Sequence, residues 1–489
     1  MGFKSVMAKG LIAKAGVWLL LDSASAAIGS FIFFIATARM LGVAQFGVSV
    51  LTLSVVGMLG PVVECMFHDA LIQREVLERE HIRTASTVAL ATGAALTAAL
   101  CLGAPLISNL LRTPEMTPYL RVISIALVFT GLGAAPTALA RRSLQFRTLT
   151  IRTAAARLLG LVVGFTALFM GRGIWSVVAQ FVTTTAAAAI FLIASVRPEM
   201  TFKVSRRHLS ELLGFAAPSL GTQLLVIASG RVSAFIIGSL MGAISAGVWQ
   251  VGYRFIEAAY LFIGGLVNHL ALTVLSRQRP QGDDLLATFR EGSARAALII
   301  APAFTGLAVC APQLIRVIVG AQWMAAAPLM AIVSLASMVM LLRMVCESML
   351  ATMGEPKLNF FVYLQATGLS VLGIVIGARF GLEFATLGWA LRVIPFVITF
   401  AIFARRALGA SFRQQLEPIL TPLAACAVMA ACVYTVEALL PHLPPQLLLA
   451  AMIATGVASY GAAAALISRT FREEVVEAAA FARRLAGAA

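Results

Sequence analysis

Asp22, Glu64, Arg231, Arg254, Glu257, Arg343, Glu347 and Arg392 lie within or beside long uncharged runs, and these are the residues whose types could do chemistry there. A charge at the centre of a bilayer costs about 2.5–3.5 kcal/mol on insertion scales, so each such group needs a partner, water or a ligand. Arginine carries a planar fork of donors that matches phosphate oxygens. Arg231, Arg254, Arg343 and Arg392 are therefore candidate binders of an anionic group. Spacing supplies a second reading for two of them. Arg254 and Glu257 are three positions apart and Arg343 and Glu347 four apart, so each pair shares a helical face and could simply neutralise itself. Arg231 and Arg392 have no carboxylate at those spacings. Asp22 could pair with an arginine, bind a proton or Na⁺, or snorkel to the interface. With Glu64, Glu257 and Glu347 it makes up the coupling or charge-pairing candidates.

No enzyme chemistry is legible. His68, His81, His208, His269 and His442 are scattered, without an H-E-x-x-H pattern, and no G-x-x-x-x-G-K-[ST] loop offers ATP hydrolysis. The six cysteines sit in apolar segments without a C-x-x-C pair. No catalytic residue, metal site or cofactor is expected from these patterns.

The elements that must position the charges are membrane helices. The 489 residues are 60% hydrophobic and 12% charged, against about 25% charged in ordinary globular domains. Apolar runs at 17–38, 47–66, 85–109, 120–140, 153–170, 174–196, 212–239, 247–276, 294–314, 328–352, 358–378, 384–404, 418–439 and 447–468 predict roughly fourteen transmembrane helices. The net charge of +16 is spread as small basic groups between these runs, which argues against nucleic acid as a partner. The basic groups fall on alternate loops, which places both termini in the cytoplasm by the positive-inside rule. Trp175, Trp249 and Trp323 fall at the outer boundary of that topology, where an amphipathic ring is favoured. Lys4, Lys9 and Lys14 precede an apolar run that continues past Ala24-Ser25-Ala26, which reads as an uncleaved first span. From Phe471 the chain reads as an amphipathic tail, either lying along the inner membrane surface or packed under the bundle.

The chain also repeats itself. Leu41-Gly42-x-x-x-Phe46-Gly47 aligns with Met241-Gly242-x-x-x-Ala246-Gly247, a period of about 200 residues that suits a transporter of two pseudo-symmetric halves. Residues 1–200 and 201–410 are read as two six-helix lobes, and 411–489 as an extra helix pair with its tail.

Ala38-Arg39-Met40-Leu41-Gly42 with Phe46-Gly47, Ala70-Leu71-Ile72-Gln73-Arg74, Arg141-Arg142-Ser143-Leu144-Gln145-Phe146-Arg147, Gly173-Ile174-Trp175-Ser176-Val177-Val178-Ala179, Tyr253-Arg254 and Gly354-Glu355-Pro356-Lys357 occur in this order along the chain. Together they resemble segments of the bacterial polysaccharide flippases of the multidrug/oligosaccharidyl-lipid/polysaccharide exporter superfamily. Val43 stands where relatives commonly have proline, and Ser233 where they often have aspartate. The resemblance implies an all-α fold whose lobes surround a cavity opening alternately to either side. It implies export of an oligosaccharide on undecaprenyl pyrophosphate across the inner membrane, for exopolysaccharide, capsule or lipopolysaccharide. The four arginines would then be headgroup ligands, and membrane lipids, a glycan polymerase and export proteins the partners. A multidrug/cation antiporter, a peptidoglycan-precursor flippase, and a membrane glycan polymerase or ligase remain alternatives.

Reporter fusions test the topology. Fusions at Gly42, Thr117, Gly242 and Pro441 are expected outside, and those at Arg79, Arg206, Arg279 and Arg472 inside; one reversed pair would change the helix count.

Overall fold

The computed structural model describes residues 28–196, 203–277, 284–342, 356–468 and 471–472. Asp22, Arg343, Glu347 and nearly all of the expected amphipathic tail lie outside them. The described residues form α-helices joined by short turns, with no strand among them. In lipid this follows from the backbone, whose polar groups find no water and must be satisfied within the segment. Eleven helical segments among the described residues are long and apolar enough to cross a membrane, and Ile28–Met40 and Gly230–Met241 are shorter apolar pieces. The chain is a multi-pass membrane protein.

Two compact units divide the chain, Met1–Gln250 and Val251–Ala489. The first contains α1 Ile28–Met40, α2 Val43–Cys65, α3 His68–Gln73, α4 Arg79–Leu110, α5 Met116–Ile123, α6 Ala126–Arg142, α7 Phe146–Phe169, α8 Ile174–Val196 and α9 Arg206–Met241. Helix α10, Ala243–Arg277, begins there and continues into the second unit. That unit adds α11 Asp284–Val309, α12 Ala311–Leu314 and α13 Ala327–Leu342, with a π-turn and a 3₁₀ turn between the last two. It ends with α14 Pro356–Gly377, α15 Leu382–Ala390, α16 Val393–Leu408, α17 Phe412–Leu439 and α18 Pro445–Ile467. The predicted runs 17–38, 212–239 and 247–276 are not among the eleven spans. The helix at residues 28–40 occupies part of the first run, and α9 and α10 cover the other two.

Helix crossings in both units run through glycine. A Cβ at Gly93 of α4 would strike the carbonyl of Leu127 on α6, and one at Gly131 of α6 would strike that of Ala89 on α4, so the two helices exchange close approaches. Gly373 of α14 and Gly388 of α15 do the same. The glycines of the repeated turns meet each other: a Cβ on Gly47 would overlap the carbonyl of Ala243, and one on Gly247 would press on the backbone of Gly47. Small residues let backbones touch where lipid gives side chains no hydrophobic reason to associate.

The tryptophans are corrected in part. Trp175 is partly exposed and packs edge-on to Tyr119 with ring centroids 4.9 Å apart. Trp249 and Trp323 are 1% and 0% exposed and act as packing anchors within the protein. Their position near helix ends suggested an interfacial belt, but the helices around them close over the rings.

The repeated turns differ in one respect. Gly42 has φ −62 with open space around its Cβ position, whereas Gly242 has φ +87. Gly42→Ala is therefore expected to be neutral in thermal unfolding in detergent, and Gly242→Ala to lose about 1 kcal/mol from left-handed strain. Gly47→Val should lose about 1–3 kcal/mol by overpacking against Ala243.

Candidate functional site

The charges read from the apolar runs have different fates. Arg231, in α9, is exposed, and its side chain lies across α2 where Gly57 leaves room, Nε standing 3.6 Å from where a Cβ would be. It makes no ion pair with any described residue. Arg254 and Glu257 form the i,i+3 ion pair that their spacing allowed, Nη1 to Oε2. Arg392 is 5% exposed at the N-cap of α16. Its guanidinium carbon stands 5.1 Å from the ring centroid of Trp389, on which Tyr253 packs edge-on at 5.9 Å. This is a cation–π contact in a desolvated setting, where such contacts are strongest. Glu64 is exposed next to the end of α2. Arg343, Glu347 and Asp22 fall outside the described residues.

Two of the short segments quoted above are brought together at the ends expected to face the cytoplasm. Arg142, closing α6, points its guanidinium at the C-terminus of the six-residue α3. Its Nη1 donates to the carbonyls of Leu71 and Ile72, both at 3.1 Å, and of Arg74, while Nη2 donates to that of Glu75 at 3.1 Å. One side chain thus serves carbonyls that a helix end leaves without partners and places a positive charge at the negative end of its dipole. Arg141 Nη1 lies 3.0 Å from His68 Nε2, and His68 Nδ1 lies 3.1 Å from Asp69 Oδ1. Phe67, Ala70 and Leu71 pack with Ala85 of α4, Ala135 and Ala138 of α6 and Leu212 of α9 in a small apolar core.

Next to that core lies a second polar cluster. Glu211, in the first turns of α9, accepts from Arg74 Nη2, from Arg207 Nε at 3.1 Å and from His81 Nε2 at 3.1 Å. The bond from His81, then those from Arg207 and Arg74, hold its carboxyl far below the usual carboxylate range, at about 2. His81, 1% exposed in the first turn of α4, accepts the amide hydrogen of Glu78 on Nδ1 at 3.2 Å. His208 lies with Nε2 3.1 Å from Glu78 Oε2 and Nδ1 2.6 Å from Ser205 Oγ. The two imidazoles meet edge to face with centroids 4.5 Å apart. The sequence placed His81 and His208 in separate loops and drew no significance from Glu78 or Glu211. The available signal was that every one of these residues flanks an apolar run; their pairing across some 130 positions is visible only in the fold.

An apolar cavity of about 420 Å³ in the second unit is lined by residues such as Pro302, Gly306, Cys310, Met429, Met452 and Tyr460. Among the described residues, no charged one lines it.

Residues 36–328, more than half of the chain, match the family model described as polysaccharide biosynthesis protein. The chain belongs to this family. Among relatives, the teichuronic acid biosynthesis protein TuaB of Bacillus subtilis is 22% identical over 73% of this chain and 76% of its own length. The lipopolysaccharide biosynthesis protein WzxC of Escherichia coli is 20% identical over 79% of each. Among solved structures, the lipid II flippase MurJ in an inward closed conformation superposes with TM-score 0.69 at 15% identity, over 90% of this chain and 99% of that one. An inward-facing multidrug-resistance MATE transporter gives 0.59 at 15% identity over 81% and 94%. At such identities the structures show a shared fold. The relatives that are named for an activity, the succinoglycan biosynthesis transport protein ExoT of Rhizobium meliloti, MurJ and the MATE transporter, are named for transport and not for catalysis.

Arg142→Ala is expected to lower stability by about 2–3 kcal/mol, because it orphans several carbonyls at once. Arg142→Lys should recover little, since an ammonium cannot span the same carbonyls. Thermal unfolding of detergent-solubilised protein checks both.

Proposed function

We propose that this chain moves an oligosaccharide carried on undecaprenyl pyrophosphate across the bacterial inner membrane by alternating access, for assembly of a surface or exported polysaccharide. Membership of the polysaccharide biosynthesis family carries this reading. TuaB, WzxC and the succinoglycan biosynthesis transport protein ExoT of Rhizobium meliloti are named for three different polysaccharides. The family resemblance implies one kind of cargo for all of them, an oligosaccharide on a charged, lipid-linked carrier. In this reading both termini are cytoplasmic, fourteen helices span the membrane, and residues 1–200 and 201–410 are the two halves of the duplication, with 411–489 as an added helix pair. A polymerase and export proteins take the product.

Arg231 is the proposed headgroup ligand. Its guanidinium is exposed on an apolar stretch of helix, held in place by the surface over Gly57, and carries no carboxylate among the described residues. A diphosphate would supply the missing counter-charge through paired hydrogen bonds. Arg392 is proposed in the same role, with its guanidinium set by Trp389. Arg254 is tied to Glu257, so its share in binding is proposed to pass through that pair. Arg343, Glu64, Glu347 and Asp22 stay as proposed ligand or coupling groups.

The test is export at matched expression. Arg231→Ala should abolish surface glycan and leave lipid-linked oligosaccharide accumulating on the cytoplasmic leaflet, with Arg231→Lys restoring part of the flux. Arg112→Ala, in an exposed turn, should have little effect. Arg392→Ala should also lose export, and a melting measurement separates lost binding from lost packing on Trp389. Normal export by both alanine variants would overturn the assignment. Drug resistance conferred without any glycan lipid would favour a multidrug antiporter of the same fold.

A further inference from the structure

We propose that Glu78, His81 and His208 form a binding site for a divalent transition-metal ion such as Zn²⁺, which staples the start of α4 to the start of α9. Each of these residues offers a ligand atom, and the three atoms lie within 4.8 Å of one another. Two imidazole nitrogens and one carboxylate oxygen are the donor set that zinc and its neighbours prefer, with further positions left for water. The site is built into the fold. His81 is 1% exposed and His208 13% exposed, the rings are fixed edge to face at 4.5 Å, and Glu78 Oε2 already stands 3.1 Å from His208 Nε2.

The surroundings orient the ligands. Ser205 Oγ, 2.6 Å from His208 Nδ1, is placed to accept that nitrogen's proton and leave Nε2 for the ion, the outer-sphere arrangement that fixes metal-binding histidines. At His81, Nδ1 accepts the Glu78 amide at 3.2 Å and Nε2 carries the proton toward Glu211 Oε2 at 3.1 Å. Coordination through Nδ1 gives up only the long bond from the amide and keeps the Nε2–H bond to Glu211, so no proton moves and none is released. Of the nearby cations, Arg74 and Arg207 both donate to Glu211, which offsets one of their two charges before an ion enters. The ion would join two residues 127 positions apart, adding coordinate bonds where hydrogen bonds now hold the helix ends.

The experiment uses the full chain in detergent, purified through a tag without histidine and stripped with EDTA. Titration with Zn²⁺ in a calorimeter should show one ion bound per chain at micromolar affinity or tighter, and the ion should raise the unfolding temperature. His208→Ala should weaken binding about 100-fold and remove the thermal shift, and Ser205→Ala should weaken it about 10-fold. His442→Ala should leave it unchanged. Glu78→Gln alters an exposed side chain, and it decides the matter if His208→Ala folds poorly. No saturable binding, or one-to-one binding that survives both His208→Ala and Glu78→Gln, overturns the proposal. Neither measurement depends on transport, so its failure is distinct from failure of the flippase reading.

Discussion

Between two helices in a bilayer there is no hydrophobic gain to be had, because the lipid tails are as apolar as the side chains they would be exchanged for. What remains is close backbone contact, and this protein depends on it. Gly93 against Leu127, Gly131 against Ala89, Gly373 against Gly388 and Gly47 against Ala243 are all places where a single methyl group would collide with a neighbouring helix's backbone. The small residues are therefore not filler in a hydrophobic sequence. They set which helices touch and how closely.

Once the helices are placed, the polar groups at their ends have to be paired. Two side chains of opposite sign organise the first unit there. Arg142 gathers carbonyls at the end of α3, and Glu211 gathers three donors from α4, α9 and the segment between α3 and α4. An exposed ion pair by itself contributes little. A carboxylate shared by two guanidiniums and a fully buried imidazole is a different case, since the geometry is set by several elements at once. The apolar core of Leu71, Ala85, Ala138 and Leu212 beside it keeps those elements in register.

The same fold serves multidrug export and lipid flipping in the solved structures it matches, so architecture by itself does not choose a cargo. The family match does narrow it, toward polysaccharide assembly. Within the spans, the arginines separate by environment. Arg254 is neutralised by its own helix, Arg392 is packed on an indole, and Arg231 lies exposed over a glycine.

Much was legible in the residues themselves. Long apolar runs specify membrane helices because backbone hydrogen bonds in lipid are local, and the Arg254–Glu257 pair was readable because three positions along a helix is one face. The recurrence of the Leu41-Gly42 motif at Met241-Gly242 was readable too, because it is a matter of residue types at set positions. Tertiary structure alone decided that those turns meet through Gly47, Ala243 and Gly247. It also put Trp249 and Trp323 inside the protein, gave Arg142 the carbonyls of another segment, and brought His81 to His208. Those outcomes depend on which helix lies beside which, and a side chain's partner across more than a hundred positions leaves no periodic mark on either stretch.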